Sequence, residues 1–194
     1  MQKNKPTIAV IGGTGDLGSG LAQLWAAAGY PVIVGSRAKE RAQAKAQELL
    51  VQTDGAVRGD DNRGAAQAAD IVVLCVPYSN HDATLEDIKP AMDGKILVDA
   101  VVPLVPPKVS VVQLPAAGSP AAVAQRVLGP QVRVAAAFHN VGAKKLHGGE
   151  KVDCDVLVFA DDAGVRERII ALAGSSRPAA STAEASPMRS RPRR

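Results

Sequence analysis

A glycine-rich loop near the start of the chain carries the clearest chemical pattern in the sequence. Residues 7–11 are a short β-branched run, and Gly13, Gly15 and Gly18 follow with the spacing G-x-G-x-x-G before a helical pattern begins. Gly13 permits a tight turn, Gly15 lets the backbone approach a pyrophosphate, and Gly18 lets the helix pack against the strand. The helix N-terminus offers unpaired N–H groups and a partial positive charge to the phosphates. We therefore predict that a dinucleotide binds to Gly13, Thr14, Gly15, Asp16, Leu17 and Gly18.

The end of the second predicted strand indicates which dinucleotide this is. NAD-binding sites commonly carry an Asp or Glu there, which accepts a hydrogen bond from the ribose 2′-hydroxyl. This chain has Gly35-Ser36-Arg37 instead, with Arg41 one helical turn further on. Ser36 can donate a hydrogen bond to a 2′-phosphate, and the two arginines can make charge-assisted ones beside Thr14 of the neighbouring loop. These residues favour NADP(H), with a solvated helix start as the alternative interpretation of Arg37 and Arg41.

The elements that must position these residues alternate between strands and helices. Strands are predicted at residues 7–11, 31–35, 56–58, 70–76, 95–99, 131–137 and 155–160, and helices at residues 16–28, 38–50, 62–69, 81–88, 119–128 and 163–173. This alternation predicts an α/β fold of the Rossmann type, with a doubly wound, mostly parallel sheet and helices on both faces. We assign residues 1–174 to one NADP-binding domain. Residues 175–194 lack valine, leucine and isoleucine and are predicted to be a disordered basic tail.

Composition and charge narrow the remaining functional classes. The 194 residues carry a formal charge of +4, but five of the 23 basic and one of the 19 acidic residues lie after Gly174, so residues 1–174 are neutral. A neutral domain predicts no nucleic-acid surface. No apolar run approaches the roughly 18 residues that span a bilayer, and no signal-peptide core precedes the first strand, so we expect a cytoplasmic protein without a membrane partner. A basic arm that binds nucleic acid or acidic lipid is the alternative interpretation of the tail.

The cysteines and histidines offer little chemistry in the sequence alone. Cys75 and Cys154 both lie within apolar strand patterns, so we expect both thiols to be inert core residues. With no further cysteine nearby, the sequence predicts no metal site. His81 and His147 are interpreted as surface or capping residues. The sequence contains no convincing nucleophile–base pair.

Two segments of the chain are similar to a known family. The run from Gly12 to Ala22, followed by Val34-Gly35-Ser36-Arg37, resembles the NADPH-dependent F420 reductases, also called F420:NADP oxidoreductases. Further similarity runs through residues 75–78, 102–105, 136–141 and 153–158. The resemblance implies an enzyme that exchanges a hydride between NADP(H) and the deazaflavin coenzyme F420. Such a reaction needs close placement of two carriers and exclusion of water rather than a nucleophile or a metal.

The resemblance also implies roles for particular residues. It assigns NADP(H) binding to Gly13, Thr14, Gly15, Ser36, Arg37 and Arg41. The residues after the fourth strand, which would border the nicotinamide, are Val76, Pro77 and Tyr78. A deazaflavin-site segment within the domain would comprise Phe138, His139, Asn140 and Val141. His139 is a candidate catalytic contact to the deazaflavin or its ribityl chain, with a bonded structural histidine as the alternative, and Lys144 or Lys145 could meet the anionic tail of F420.

The chain departs from the family after the helix predicted at residues 163–173. Family members continue into a Gly-Pro-Leu loop and another helix, which help to build the deazaflavin site and the subunit contacts, whereas this chain has residues 175–194. Strings rich in Arg, Pro, Ser and Ala are typical of out-of-frame translation of GC-rich DNA. A frameshift or truncation near Gly174 is therefore a hypothesis, which resequencing of the coding region would test. We expect NADP(H) binding to survive, while F420 affinity and a homodimer depend on whether the tail is native.

Two other functions are compatible with the phosphate loop. The first is a small NADP(H)-dependent reductase of another acceptor, such as a flavin, an imine or ferric ion. The second is a non-catalytic NADP(H)-binding module that senses redox state and signals to a partner. Acceptor specificity distinguishes the first from an F420 reductase, and binding without turnover would identify the second.

Overall fold

One seven-stranded sheet forms the centre of the computed structural model, which describes residues 5–53, 55–147 and 154–175. The strands are β1 (Ile8–Ile11), β2 (Val32–Ser36), β3 (Val57–Asp61), β4 (Ile71–Leu74), β5 (Ile96–Asp99), β6 (Arg133–Ala136) and β7 (Phe159–Ala160). Their order across the sheet is β3-β2-β1-β4-β5-β6-β7. The first six strands run parallel, and β7 pairs with β6 in the antiparallel direction.

Helices cover both faces of this sheet. They are α1 (Asp16–Ala27), α2 (Lys39–Gln52), α3 (Asn62–Gln67), α4 (His81–Ile88), α5 (Pro120–Leu128), α6 (Ala143–Leu146) and α7 (Ala163–Gly174). Successive strand residues point to opposite faces, so Ile8 and Val10 pack with α1, α2, α6 and α7, while Ala9 and Ile11 pack with α3, α4 and α5. Two apolar cores therefore enclose the sheet, which is the layered arrangement of a doubly wound α/β fold.

The strand order creates a crevice at the carboxyl ends of the central strands. β1 pairs with β2 on one side and with β4 on the other, so that Ile8 lies opposite both Val32 and Ile71. The chain first moves outward through β2 and β3 and then returns to β4 on the other side of β1. Ligands of open α/β sheets bind where the strand order reverses in this way. The loops that follow β1, β2 and β4 meet at that edge.

The predicted fold class is confirmed, and most predicted elements are present. The bounds of β1, β2, α1, α2, α4, α5 and α7 agree with the predicted ranges to within two residues at either end. The prediction missed α6 and placed all of residues 155–160 in a strand, of which Phe159–Ala160 is observed. As an edge strand, β7 pairs on one side, and Leu157 and Phe159 are exposed. Val156, Val158 and Ala160 pack against the core on the other side of the segment, so its apolar residues are divided between the core and an outer surface.

Two side chains lie in environments other than the predicted ones. Cys154 is exposed rather than buried, because it precedes the short edge strand without joining the sheet. His81 is fully buried rather than at the surface, because Asp82 and Asp99 bond its two ring nitrogens. Cys75 packs against the core as predicted.

The predicted basic tail lies outside the described residues, apart from Ser175, which caps the end of α7. The frameshift hypothesis concerns the same residues. In the part of the chain that is described, no helix is both long enough and apolar enough to cross a membrane.

Candidate functional site

The loop between β1 and α1 folds back on the end of β2. The backbone N–H groups of Gly12 and Gly13 both donate to the Gly35 carbonyl oxygen, each at 3.1 Å. Gly12 has a φ of +79°, and a Cβ added there would lie 2.5 Å from the carbonyl oxygen of Cys75. The tight turn therefore falls on Gly12, one residue before the glycine to which the sequence pattern assigned it. Any other residue at Gly12 would be strained at this φ, and its Cβ would collide with the backbone of Cys75.

Two further glycines bring the backbone close together. A Cβ at Gly13 would lie 2.7 Å from the Val10 carbonyl oxygen, and a Cβ at Gly18 would lie 2.5 Å from the Gly12 carbonyl oxygen. Gly18 thus allows the first turn of α1 to pack directly on the loop residues Gly12 and Gly13, whereas the spacing predicts packing against the strand. Gly15 is the N-cap residue of α1, and it is exposed together with Asp16, while Leu17 is half-buried. The first N–H groups of a helix have no partner within it, so this loop presents donors toward an anion.

A cleft of about 420 Å³ opens beside this loop. It is lined by Gly12, Thr14, Gly15, Ser36, Arg37, Ala38, Arg41, Asn62, Cys75, Val76, Pro77, Asn80 and Thr84. The fold therefore joins the phosphate loop, the end of β2 and the segment after β4 in one cavity. The sequence pattern missed Asn62 of α3, Thr84 of α4 and Asn80, which is the residue just before α4.

The end of β2 gives this cleft a positive character. Arg37 and Arg41 are exposed, and none of the described lining residues is acidic. Ser36 is nearly buried, and its Oγ accepts a hydrogen bond from Ala38 N at 3.4 Å, so the hydroxyl hydrogen can still be donated to a ligand. A positively charged cleft end with a hydroxyl donor suits a phosphate group.

Asp60, next to the end of the neighbouring strand β3, is paired with a lysine that does not line the cleft. Lys39 Nζ lies 2.7 Å from Asp60 Oδ1. The hydrogen bond with Lys39 lowers the pKa of Asp60, and the same contact raises the pKa of Lys39. The charge of this aspartate is thus engaged by a lysine rather than by Arg37 or Arg41.

The segment after β4 forms an apolar part of the cleft. Val76 and Pro77 line it, together with Cys75. Burial, with a smaller contribution from the Asp99 carboxylate, raises the pKa of the Cys75 thiol to about 12. The thiol is therefore neutral at physiological pH. Tyr78 begins a short 3₁₀ turn and lies outside the lining, with its ring centroid 6.1 Å from that of His81.

A buried histidine–aspartate pair lies beneath this segment. His81 Nε2 is 2.9 Å from Asp99 Oδ2, and His81 Nδ1 is 2.8 Å from Asp82 Oδ1. Asp99 Oδ1 also accepts a hydrogen bond from Val101 N at 2.9 Å. Burial alone would lower the pKa of His81, but the hydrogen bonds to Asp99 and Asp82 outweigh it and raise that pKa. The sequence carries no local signal of this pair, because its members belong to α4 and to the end of β5.

The predicted deazaflavin segment follows β6 at the same edge of the sheet. Phe138 has a φ of +68°, and its buried ring packs edge-on against Trp25 with the centroids 5.7 Å apart. Because its ring is buried, Phe138 can contact a ligand only through its backbone. His139 and Asn140 are exposed, and Asn140 Nδ2 donates to the Asp155 carbonyl oxygen at 2.6 Å. Packing around the ring lowers the pKa of His139, against the opposing effect of the Asp99 carboxylate, although the side chain reaches solvent.

The next element, α6, carries the two lysines of the prediction. Lys144 and Lys145 are exposed, and His147 just beyond the helix bonds the Asp16 carbonyl oxygen through Nε2 at 2.8 Å. Leu146 packs on α1 so closely that a Cβ at Gly20 would lie 2.5 Å from Leu146 Cβ. Packing on α1 thus places α6 beside the phosphate loop. None of residues 138–141 lines the 420 Å³ cleft itself.

The sheet order, the glycine loop and the cationic cleft define a dinucleotide-binding protein of the Rossmann class. The family model described as NADP oxidoreductase, coenzyme F420-dependent, matches residues 7–103. The chain belongs to this family, and it is an oxidoreductase whose co-substrates are NADP(H) and coenzyme F420. The predictions of family, reaction and co-substrates are confirmed, and neither alternative function is favoured.

Individual relatives agree with the family. The F420-dependent NADP reductase of Methanothermobacter thermautotrophicus is 45% identical over 163 residues, which cover 79% of this chain and 70% of the relative. The F420-dependent NADP reductase of Methanocaldococcus jannaschii is 38% identical over 175 residues, covering 86% and 78%. A crystal structure from Arthrobacter sp. FB24, provisionally assigned as an F420-dependent NADP reductase, superposes with a TM-score of 0.72 at 25% identity, covering 87% of this chain and 80% of that one.

Proposed function

We propose that this chain binds NADP(H) along the 420 Å³ cleft and exchanges a hydride with F420 held at residues 138–141. The observation that carries the proposal is the meeting of the glycine loop with Ser36, Arg37 and Arg41 in a cleft without a described acidic lining residue. A Cβ at Gly12 or Gly18 would collide with the protein backbone, so these glycines keep the loop compact at the start of α1, where the helix N–H groups face the cleft. The residues present therefore fit NADP(H).

In this proposal the two ends of the cleft bind different phosphates. The backbone N–H groups of Asp16 and Leu17, at the start of α1, bind the pyrophosphate, with Thr14 and Gly15 beside them. The Gly15 N–H itself donates to the Gly12 carbonyl oxygen at 3.0 Å. Gly13 and Gly18 act by keeping the loop compact, since any side chain there would press on the backbone. The 2′-phosphate is bound by Ser36, Arg37 and Arg41. A guanidinium group can make two parallel hydrogen bonds to the 2′-phosphate. NADH has no 2′-phosphate.

The apolar segment after β4 would hold the nicotinamide end. Val76 and Pro77 offer an apolar wall, and the Cys75 thiol beside them carries no charge. Tyr78 would complete this border next to the cleft. NADPH and F420 supply the redox chemistry of the reaction, as hydride donor and acceptor. The chain contributes orientation of the two rings and exclusion of water between them.

The deazaflavin side of the site is proposed from residues 138–141. The Phe138 turn, stabilised by its ring against Trp25, directs His139 and Asn140 outward from the end of β6. Because the pKa of His139 is lowered, its ring is neutral near pH 7 and can accept or donate one hydrogen bond to a deazaflavin. Val141 adds an apolar contact, and the exposed Lys144 and Lys145 attract the anionic tail of F420.

Loss of the visible absorbance of oxidised F420 tests the proposed function directly. Purified protein with F420 and NADPH should bleach this absorbance, and NADH at the same concentration should do so far more slowly. Bleaching that is equal with both nucleotides would overturn the assignment of Ser36, Arg37 and Arg41. His139→Ala should lower F420 turnover while NADPH binding is retained, and unchanged turnover would remove His139 from the site.

A homodimer and a cytoplasmic location complete the proposal. The exposed Phe159 on the edge strand and the exposed Leu157 just before it support a contact with a second copy, since such apolar side chains at a sheet edge favour association. Light scattering on the purified chain should give twice the monomer mass, and a monomer at micromolar concentration would contradict it. Cell fractionation tests the location: the protein should be recovered in the same soluble fraction as the two coenzymes.

A further inference from the structure

A second cavity lies at the edge of the sheet opposite to the cofactor cleft. Its volume is about 970 Å³, and α7 contributes to its wall. Thr7, Asp70 and Lys95, which line it, come just before β1, β4 and β5, and Arg133 is the first residue of β6. Because these strands are parallel, their amino ends meet at one edge of the sheet. The described lining residues of this cavity and of the cofactor cleft do not overlap.

The lining of this second cavity is strongly cationic. Lys5, Lys95, Arg133 and Arg168 contribute four positive charges, and Asp70 is the acidic residue among the described lining residues, so the net charge is +3. Residues 1–174 as a whole are neutral, so this cavity concentrates positive charge that the rest of the domain balances elsewhere. Like charges that share a cavity repel one another unless an anion lies between them.

Neutral acceptors hold two of these cations in place. Lys95 Nζ donates to the carbonyl oxygens of Ala66 and Gln67, at 2.6 and 2.7 Å. Arg133 Nη2 donates to the Gly94 carbonyl oxygen at 3.1 Å. An ammonium group has three N–H donors and a guanidinium group has five, so both side chains keep donors for a ligand. They are therefore positioned by the backbone without being neutralised by it.

The other two cations also lack a carboxylate partner among the described residues. Lys5 Nζ lies over the Tyr30 ring, 4.8 Å from the ring centroid. Arg168 of α7 is exposed, and no hydrogen bond or ion pair joins it to another described residue. The Asp70 carboxylate is engaged by the backbone, because its Oδ2 accepts a hydrogen bond from Thr7 N at 2.8 Å. The charge of the cavity is thus left for a ligand to balance.

We propose that this cavity binds a small anion that carries several phosphate groups. Guanidinium groups make paired hydrogen bonds to phosphate oxygens, and lysines add charge without fixed geometry. The cavity volume lies at the upper end of the range of about 300–1,000 Å³ that is usual for small-molecule sites. The anion site does not rest on the proposed function, since NADP(H) is assigned to the opposite edge of the sheet. Both ligands can therefore be bound at once.

Calorimetric titration of the full chain with inorganic triphosphate tests the anion site. NADPH at saturating concentration fills the cofactor cleft, and a constant ionic strength keeps screening equal. We expect one triphosphate per chain with a dissociation constant below about 1 mM, and weaker binding of citrate, which carries fewer charges. Absence of triphosphate binding, its displacement by NADPH, or tighter binding of citrate would overturn the proposal. Failure of NADPH to bind would overturn the proposed function and leave the anion site standing.

A pair of single substitutions distinguishes this site from general attraction of anions. Arg168→Gln removes a cation that bonds no described residue, so the melting temperature and the NADPH affinity should not change. The affinity for triphosphate should fall about tenfold. Arg126→Gln removes the same charge from an exposed position of α5 outside the cavity, and it should change that affinity less than about twofold. Equal losses of triphosphate affinity in the two variants would overturn the proposal.

Discussion

The imidazole of His81 and the carboxylate of Asp99 form a completely buried pair, with Nε2 and Oδ2 2.9 Å apart. The pair connects the first residue of α4 to the last residue of β5, so it links two elements at the carboxyl edge of the sheet. Asp99 also accepts a hydrogen bond from the N–H of Val101, and the Tyr78 ring is tilted against the histidine with the ring centroids 6.1 Å apart. The pair therefore supports the floor of the site without lining it.

We predict that breaking this pair destabilises the protein strongly. Either His81→Leu or Asp99→Leu leaves one buried polar partner uncompensated, which costs about 3–5 kcal/mol in free energy of unfolding. The double variant replaces both groups by apolar ones and should cost less than the sum of the single changes. Urea unfolding, monitored by Trp25 fluorescence, gives the free energy of unfolding of the wild type, the two single variants and the double variant. Additive losses would show that the two side chains do not interact.

The exposed partner of the histidine provides a control for this cycle. Asp82 bonds His81 Nδ1 at 2.8 Å, but its side chain is 76% exposed. Solvent-exposed ion pairs contribute about 0–1 kcal/mol, so Asp82→Ala should have a small effect beside Asp99→Leu. If Asp82→Ala lowers the free energy of unfolding as much as Asp99→Leu does, the expectation that the buried Asp99 is the main stabilising partner of His81 is contradicted.

The raised pKa of His81 predicts how stability depends on pH. A histidine with a folded-state pKa above its unfolded value of about 6.5 contributes stability fully below that value, because the folded state then holds the proton more tightly. The contribution is lost as the pH rises through the folded-state pKa. The difference in free energy of unfolding between wild type and His81→Gln should therefore shrink from pH 6 to pH 9. A difference that grows with pH would contradict the sign of the shift.

The sequence predicts the glycine-rich turn between β1 and α1 because its signals are local, although the tight turn itself falls on Gly12 rather than on Gly13. Glycine spacing, the preceding β-branched run and the following helical pattern all lie within residues 7–28 and depend on backbone geometry. The same is true of Ser36 and Arg37, which end a strand that periodicity identifies. The parallel sheet follows from repeated alternation of such units. In each case neighbours in the chain carry the information.

The remainder of the site depends on contacts between distant segments. His81 looks like a surface residue until Asp99, eighteen residues later, is brought against it by the pairing of β4 with β5. Asn62 has an ordinary polar side chain, and its position in the cleft arises from α3 packing beside β2. The Phe138 ring belongs to the core because its positive φ turns the backbone. No single segment contains these relationships.

Gly12→Ala should disrupt the phosphate loop more than strain alone can explain. Its φ of +79° disfavours alanine, and a Cβ would also lie 2.5 Å from the Cys75 carbonyl oxygen. Gly94 is the matched control, because it has a φ of +71° with nothing within 4 Å of an added Cβ. Gly94→Ala should therefore cost about 1 kcal/mol, whereas Gly12→Ala should cost more and weaken NADPH binding. Equal losses in thermal unfolding would show that the loop relaxes around the new methyl group.

Removing Arg37, just after β2, and Arg41, in the first turn of α2, should abolish the preference for NADPH over NADH. Each charge-assisted hydrogen bond to a phosphate contributes about 1.5–3 kcal/mol, so Arg37→Ala should weaken NADPH binding about 10- to 100-fold. Arg41→Ala should act in the same direction, and neither change should affect NADH, which has no 2′-phosphate. Arg126→Ala, at an exposed position of α5 outside the cleft, is the control. Fluorescence titration with both nucleotides gives the dissociation constants. Parallel losses of NADPH and NADH affinity in Arg37→Ala would place this arginine at the pyrophosphate or in the fold instead of at the 2′-phosphate.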